Sequence, residues 1–198
     1  MKKSLLFLLT AVMITFMTGC EDGEEGVVST TAPVVQGWHN PGRDCLACHN
    51  VDLQSERNLL MGGTLYKESN VTNQDDINNV CGGDLTINLL DYTATPALQY
   101  SSADYIDSNS KGYKGKGNIF ILKRLLSSSY GNFYVQITDK NGAVLAVSGQ
   151  THSFSAQEYD INNPQDLNNR VSCNACHVKD GYTLPLYVNN AMNKNLCE

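Results

Sequence analysis

The start of the chain lacks what a membrane-spanning helix requires. Such a helix takes about 20 consecutive apolar residues, and the N-terminal apolar run, Leu5–Met17, has only 13. Positive charge is also scarce, with 14 Lys and Arg against 20 Asp and Glu and only 17% charged residues in all. An acidic, sparsely charged chain is a poor partner for nucleic acid and does not adhere electrostatically to anionic lipid. Histidine and methionine are rare too. Four His are present, and of five Met only Met61 and Met192 lie beyond the N-terminal run. The imidazole and thioether donors open to a metal are therefore few enough to assign one by one.

What the N-terminus does contain reads as a targeting device. Lys2 and Lys3 precede the short apolar run, as in a secretory signal. The run ends in Met17-Thr18-Gly19-Cys20, which resembles the processing box of bacterial lipoproteins. That resemblance implies a signal peptide at 1–19, a lipidated Cys20 and a linker over 20–37. Without Lys2 and Lys3 the remaining chain has 12 basic and 20 acidic residues, a formal charge of −8. Membrane attachment then rests on acyl chains, several of which suffice where one does not. The acidic stretch Glu21–Gly26 resembles signals that send lipoproteins to the outer cell face, and reads equally as a solvated tether. Val27–Val35 reads as linker or as an extended arm able to add a strand to a neighbour.

Seven cysteines look odd until they are assigned. Cys20 is the lipid site. Four fall in Cys45-Leu-Ala-Cys48-His49 and Cys173-Asn-Ala-Cys176-His177. Cys81 and Cys197 remain, and in an oxidising compartment two leftover cysteines pair most simply with each other. Two buried free thiols are the rival arrangement.

Cys-x-x-Cys-His is the attachment signature of c-type haem. Two thiols spaced this way on a helical turn meet the two vinyl groups of one porphyrin, and the following His is set to bind its iron. Zinc ribbons and thioredoxin-like sites also use Cys-x-x-Cys, but neither requires a His after each second Cys. The cofactors expected are two covalent c-type haems, held by Cys45, Cys48, Cys173 and Cys176, with His49 and His177 as proximal ligands. Asn40-Pro41 and Asn163-Pro164 read as helix starts before each motif. Two histidines, His39 and His152, are left for two distal positions, which suggests bis-histidine irons. Met61 and Met192 compete for the same role and would raise the potential. His39 lies only ten residues before His49, which favours His39 on the second haem and His152 on the first. A distal His from a neighbouring subunit is the open alternative.

Residues 59–155 differ from both motifs. Met61–Tyr66, Asp84–Tyr92 and Gly117–Leu122 are short apolar or alternating runs between turn-forming clusters. In Asn132–Thr138 the residues Phe133, Val135 and Ile137 share a face, and Asn141-Gly142 suits a tight hairpin turn toward Ala143–Ser148. Ile119–Leu126 fits helix or strand. The expected fold is mainly β, an antiparallel immunoglobulin-like β-sandwich between two short helical c-haem attachment segments at 38–58 and 156–198. An even number of strands would bring both segments to one pole, and an odd number to opposite poles.

At the two haem motifs and the processing box the chain resembles small multihaem c-type cytochromes of the bacterial outer membrane. The resemblance implies an exported outer-membrane lipoprotein on the periplasmic or cell-surface face. It would pass electrons to other redox proteins, to multihaem cytochromes or to extracellular acceptors, and would not be an enzyme. A homo-oligomer or haem-stacked filament is the polymeric form of the same reading. The alternatives are a peroxidase-like dihaem oxidoreductase with one open iron, and a surface binding module with accessory haems.

Overall fold

The computed structural model describes residues 41–53, 58–82, 85–101, 117–123, 130–178 and 183–197. The processing box, Cys20, the linker and His39 lie outside them. Among the described residues, eight strands form two sheets with little helix, the mainly-β sandwich that the alternating runs imply. The strands are β1 Leu59–Thr64, β2 Thr86–Leu90, β3 Pro96–Ser101, β4 Asn118–Leu122, β5 Gly131–Thr138, β6 Val144–Val147, β7 His152–Phe154 and β8 Val171–Ser172. One sheet runs β4-β1-β8. The other runs β3-β2-β5-β6, with β7 also paired to β5.

The alternation of apolar side chains decides which faces meet. Ile87 and Leu89 of β2, Val135 and Ile137 of β5, and Ile119 and Ile121 of β4 join Leu60, Leu145 and Phe154 in one buried core. Each such side chain contributes roughly 1.5–3 kcal/mol when fully buried. On the outer face of the larger sheet, Asn88 links three strands. Its amide donates to Gln136 at 3.1 Å and accepts from Gln99 at 2.9 Å, at the positions where Asn88 is paired in register with both. A one-residue slip would break both bonds and turn Ile87 and Leu89 out of the core, so the register is doubly held.

Strand β1 is buried along its whole length. One face joins the main core, and the other is covered by Leu46 and Tyr159, which pack with Leu59. That two-sided burial explains the unbroken run Leu59-Leu60-Met61 in place of alternation.

Several expectations shift in detail. The sheets do not end at 155, because Val171–Ser172 pairs parallel to β1. Residues 161–169 form successive turns, not a helix toward Cys173. Asp160 and Asp166 hold these turns by accepting from the backbone N–H groups of Asn162 and Asn168, a local bond that competes with helix. The first motif helix is capped by Asp44; Asn40 lies outside the described residues. The hairpin at Asn141-Gly142 is wider than a two-residue turn: Gly142 N–H donates to Asp139 and Asp139 N–H to Ala143. Gly142 takes the left-handed conformation, φ 84°, that a three-residue loop needs.

The C-terminal tail is strapped to the sandwich. Tyr66 N–H donates to Leu186 and Val188 N–H to Tyr66, and the amides of Asn190 and Asn193 both donate to Val144 O. Cys81 and Cys197 form a disulfide, with Cα atoms 4.5 Å apart across 116 residues. Closing a loop of that length removes enough unfolded-state entropy for about 4–5 kcal/mol. Cys197→Ser should therefore lower unfolding free energy by up to that amount in a denaturant titration. A variant within about 0.5 kcal/mol of the parent would contradict it.

Candidate functional site

Both Cys-x-x-Cys-His motifs form the same local device from different surroundings. Helix α1 spans Cys45–Ala47 and helix α2 spans Cys173–Cys176, one turn each. Asp44 caps α1, one carboxylate oxygen accepting from the N–H groups of Leu46 and Ala47. His49 follows in a wider turn over Cys48–Asp52. After α2, His177 N–H donates to Cys173 O at 2.7 Å, closing the turn that carries its ring.

The two motifs meet at one point, the diglycine of β1. Successive strand residues face opposite ways. A Cβ on Gly62 would stand 2.8 Å from Cys45 Cβ, and one on Gly63 would stand 2.5 Å from Cys173 Cβ. Only side-chain-free backbone separates the first cysteines of the two motifs. Counting strands does not decide this, since seven described strands lie in 59–155 and eight precede Cys173. The motifs meet because α1 and α2 each pack on β1, to which β8, leading into α2, is parallel.

The first variable residue of each motif points inward. Leu46 is fully buried, and so is Asn174. The Asn174 amide donates to Arg43 O at 2.7 Å and Thr64 Oγ1 at 3.2 Å, and accepts from Thr64 N–H at 3.0 Å. Sequence reading missed Asn174, Thr64 and Asp44. The detectable signal was Gly62-Gly63 inside an apolar run, since glycine within a strand marks a close approach.

Beside α2 opens a groove of about 480 Å³. Val135, Ile137, Ala146, Val171 and Leu186 supply apolar walls, and Cys173, His177 and His152 supply the chemistry. His177 Nδ1 lies 2.8 Å from Leu184 O. A carbonyl can only accept, so Nδ1 carries the proton and Nε2 keeps its lone pair for a metal. His152 Nδ1 is buried with no hydrogen-bond partner. Burial, then the neighbouring His177, pulls the His152 pKa below its ordinary value, while a backbone contact at Gln150 opposes the shift. A neutral imidazole is the form that binds iron. His152 thus lines the groove beside the second motif. Met61 lies in the core, and Met192 is 88% exposed on the Ala191–Leu196 turn; neither lines the groove.

The groove does not have the donor set of a bare-ion site. Among the described residues, no three His, Cys, Asp or Glu side chains are grouped to hold one metal ion, as a zinc site requires. The thiols do not suit thioredoxin-like chemistry either, which relies on a lowered cysteine pKa. Burial, aided by Asp44, pushes Cys45 up to about 12, and burial, aided by Cys45 and Cys176, does the same for Cys173. Cys45, Cys173 and Cys176 are free thiols. Cys48 is disulfide-bonded, and that bond has to be reduced before its sulfur can take a vinyl group. No family model matches the chain, and no curated protein or solved structure matches it.

Thiolate is the reactive form, so the folded apoprotein should resist alkylation at Cys45 and Cys173 at pH 8 and take it up once unfolded. Iodoacetamide labelling followed by peptide mass mapping checks this. Equal labelling of both thiols in folded and unfolded protein would contradict it.

Proposed function

We propose that the protein is a dihaem c-type cytochrome that carries electrons, exported and tethered to the outer membrane by acyl chains on Cys20. The observation carrying this reading is the groove lined by the second motif's Cys173 and His177 together with His152, whose Nδ1 is buried without a hydrogen-bond partner. Cys173 and Cys176 would hold one haem, with His177 and His152 as donors to its iron. Cys45 and Cys48 would hold the other, with His49 as a donor to its iron and His39, outside the described residues, as the candidate second donor. When bound, such haems supply reversible one-electron chemistry between iron(III) and iron(II), and two imidazole donors keep the potential low.

The chain's own residues supply the rest. Leu184 O orients His177 through Nδ1–H, which fixes the tautomer. Val135, Ile137 and Leu186 give the groove an apolar wall, and the polarity around a haem bears on its potential. A negative surface favours basic or multihaem redox partners over nucleic acid. No helix among the described residues is long and apolar enough to cross a membrane; the proposed tether is the acyl group on Cys20. Assembly into a haem-stacked filament is the polymeric extension of the same proposal.

The test is the protein exported in a host with c-type haem maturation. Its mass should exceed the chain's by two haems, its spectrum should be low-spin, and carbon monoxide should leave it unchanged. His152→Ala should turn one haem high-spin and carbon-monoxide-sensitive. A purified protein free of covalent haem would refute the cytochrome. A wild-type haem that takes up carbon monoxide would favour the peroxidase-like oxidoreductase.

A further inference from the structure

The two motif segments brace each other through a pair of reciprocal links. From the first segment, Asp44 accepts from Ser172 Oγ at 2.6 Å, and Ser172 stands immediately before α2. From the second, Asn174 donates to Arg43 O at 2.7 Å and reaches Cys45 Sγ at 3.9 Å. The other oxygen of Asp44 accepts from the Tyr159 hydroxyl. One carboxylate thus caps α1, anchors the start of α2 and stands between the two haem-attachment sites.

We propose that Asp44 is a shared tuning residue, a single carboxylate whose charge sets the reduction potentials of both haem sites together. The proposal rests on the cytochrome reading above. Its geometry is the double brace, with Ser172 and Tyr159 holding the carboxylate in place and the diglycine keeping both segments against it. Electrostatic reach supports it. Asp44 directly precedes Cys45, and its partner Ser172 directly precedes Cys173. A negative charge beside both attachment sites disfavours adding an electron to a haem at either. Low local dielectric strengthens this over an exposed charge. Asp44 acts through the field at the haems and is a positioning residue for α1 and α2, not a catalytic one.

The test is spectroelectrochemical titration of the full holoprotein, the electrode giving one electron to each iron on reduction and taking it back on oxidation. Asp44→Asn and Asp44→Ser both keep a side chain that caps a helix well and remove the charge. Both midpoint potentials should rise in each variant, with the low-spin spectra retained. A rise in only one potential, or in neither, would overturn the proposal, and the second variant keeps the test open if the first folds poorly. A wild-type protein carrying no haem would instead refute the cytochrome reading beneath it, and the mass of the same sample shows which has failed.

Discussion

Everything chemically notable in this chain hangs on two cysteine side chains seated against bare backbone at Gly62 and Gly63. With Cβ approaches of 2.8 and 2.5 Å, no residue other than glycine fits at either place without moving its neighbour. Because β1 is central in its sheet, anything seated on it inherits the rigidity of the core. The sandwich is thus less a module placed between two motifs than the base plate on which both are mounted. Strand β8 and helix α2 follow each other without a break, so the second motif is continuous with the sheet that carries the first.

A polar network makes that mounting specific. Thr64 Oγ1 receives Gly42 N–H at 3.1 Å and donates to Asn118 at 3.0 Å, and Asn174 bonds to its backbone and hydroxyl. Buried polar groups that are fully partnered rigidify a core, whereas a missing member leaves the others stranded at about 1–3 kcal/mol each. Arg170 plays a comparable part nearby. Its buried guanidinium donates to Gln157 O at 2.7 Å, to Leu59 O at 3.3 Å and to Glu158 at 3.1 Å. It pins the loop before β8 to the start of β1.

Much of this was legible in the residues alone, and the division is physical. Period-two patterning at Phe133, Val135 and Ile137 reports burial directly, so the sandwich could be read. Cys81 and Cys197 could be paired by counting, since counting needs no geometry. What could not be read was set by contacts across more than a hundred residues. Asp44 and Ser172 are 128 residues apart, and nothing local marks them as partners. Which motif His152 faces was set by strand pairing and not by its neighbours in the chain, since β7, paired to β5, carries it to the groove beside the second motif. The turns at 161–169 misled in a different way, because Asp and Asn there satisfy the backbone locally and remove the incentive to form a helix.

The seating of both motifs on the diglycine can be tested without any cofactor. Gly62→Ala, Gly63→Ala and, as a control with open space around it, Gly149→Ala would each be unfolded in denaturant as apoprotein. The first two should each lose about 1–3 kcal/mol, the cost of forcing a methyl into a packed site, with the control within about 0.5 kcal/mol of the parent. If Gly63→Ala unfolds like the parent, then Cys173 does not rest on that strand, and the two motifs are not held back to back.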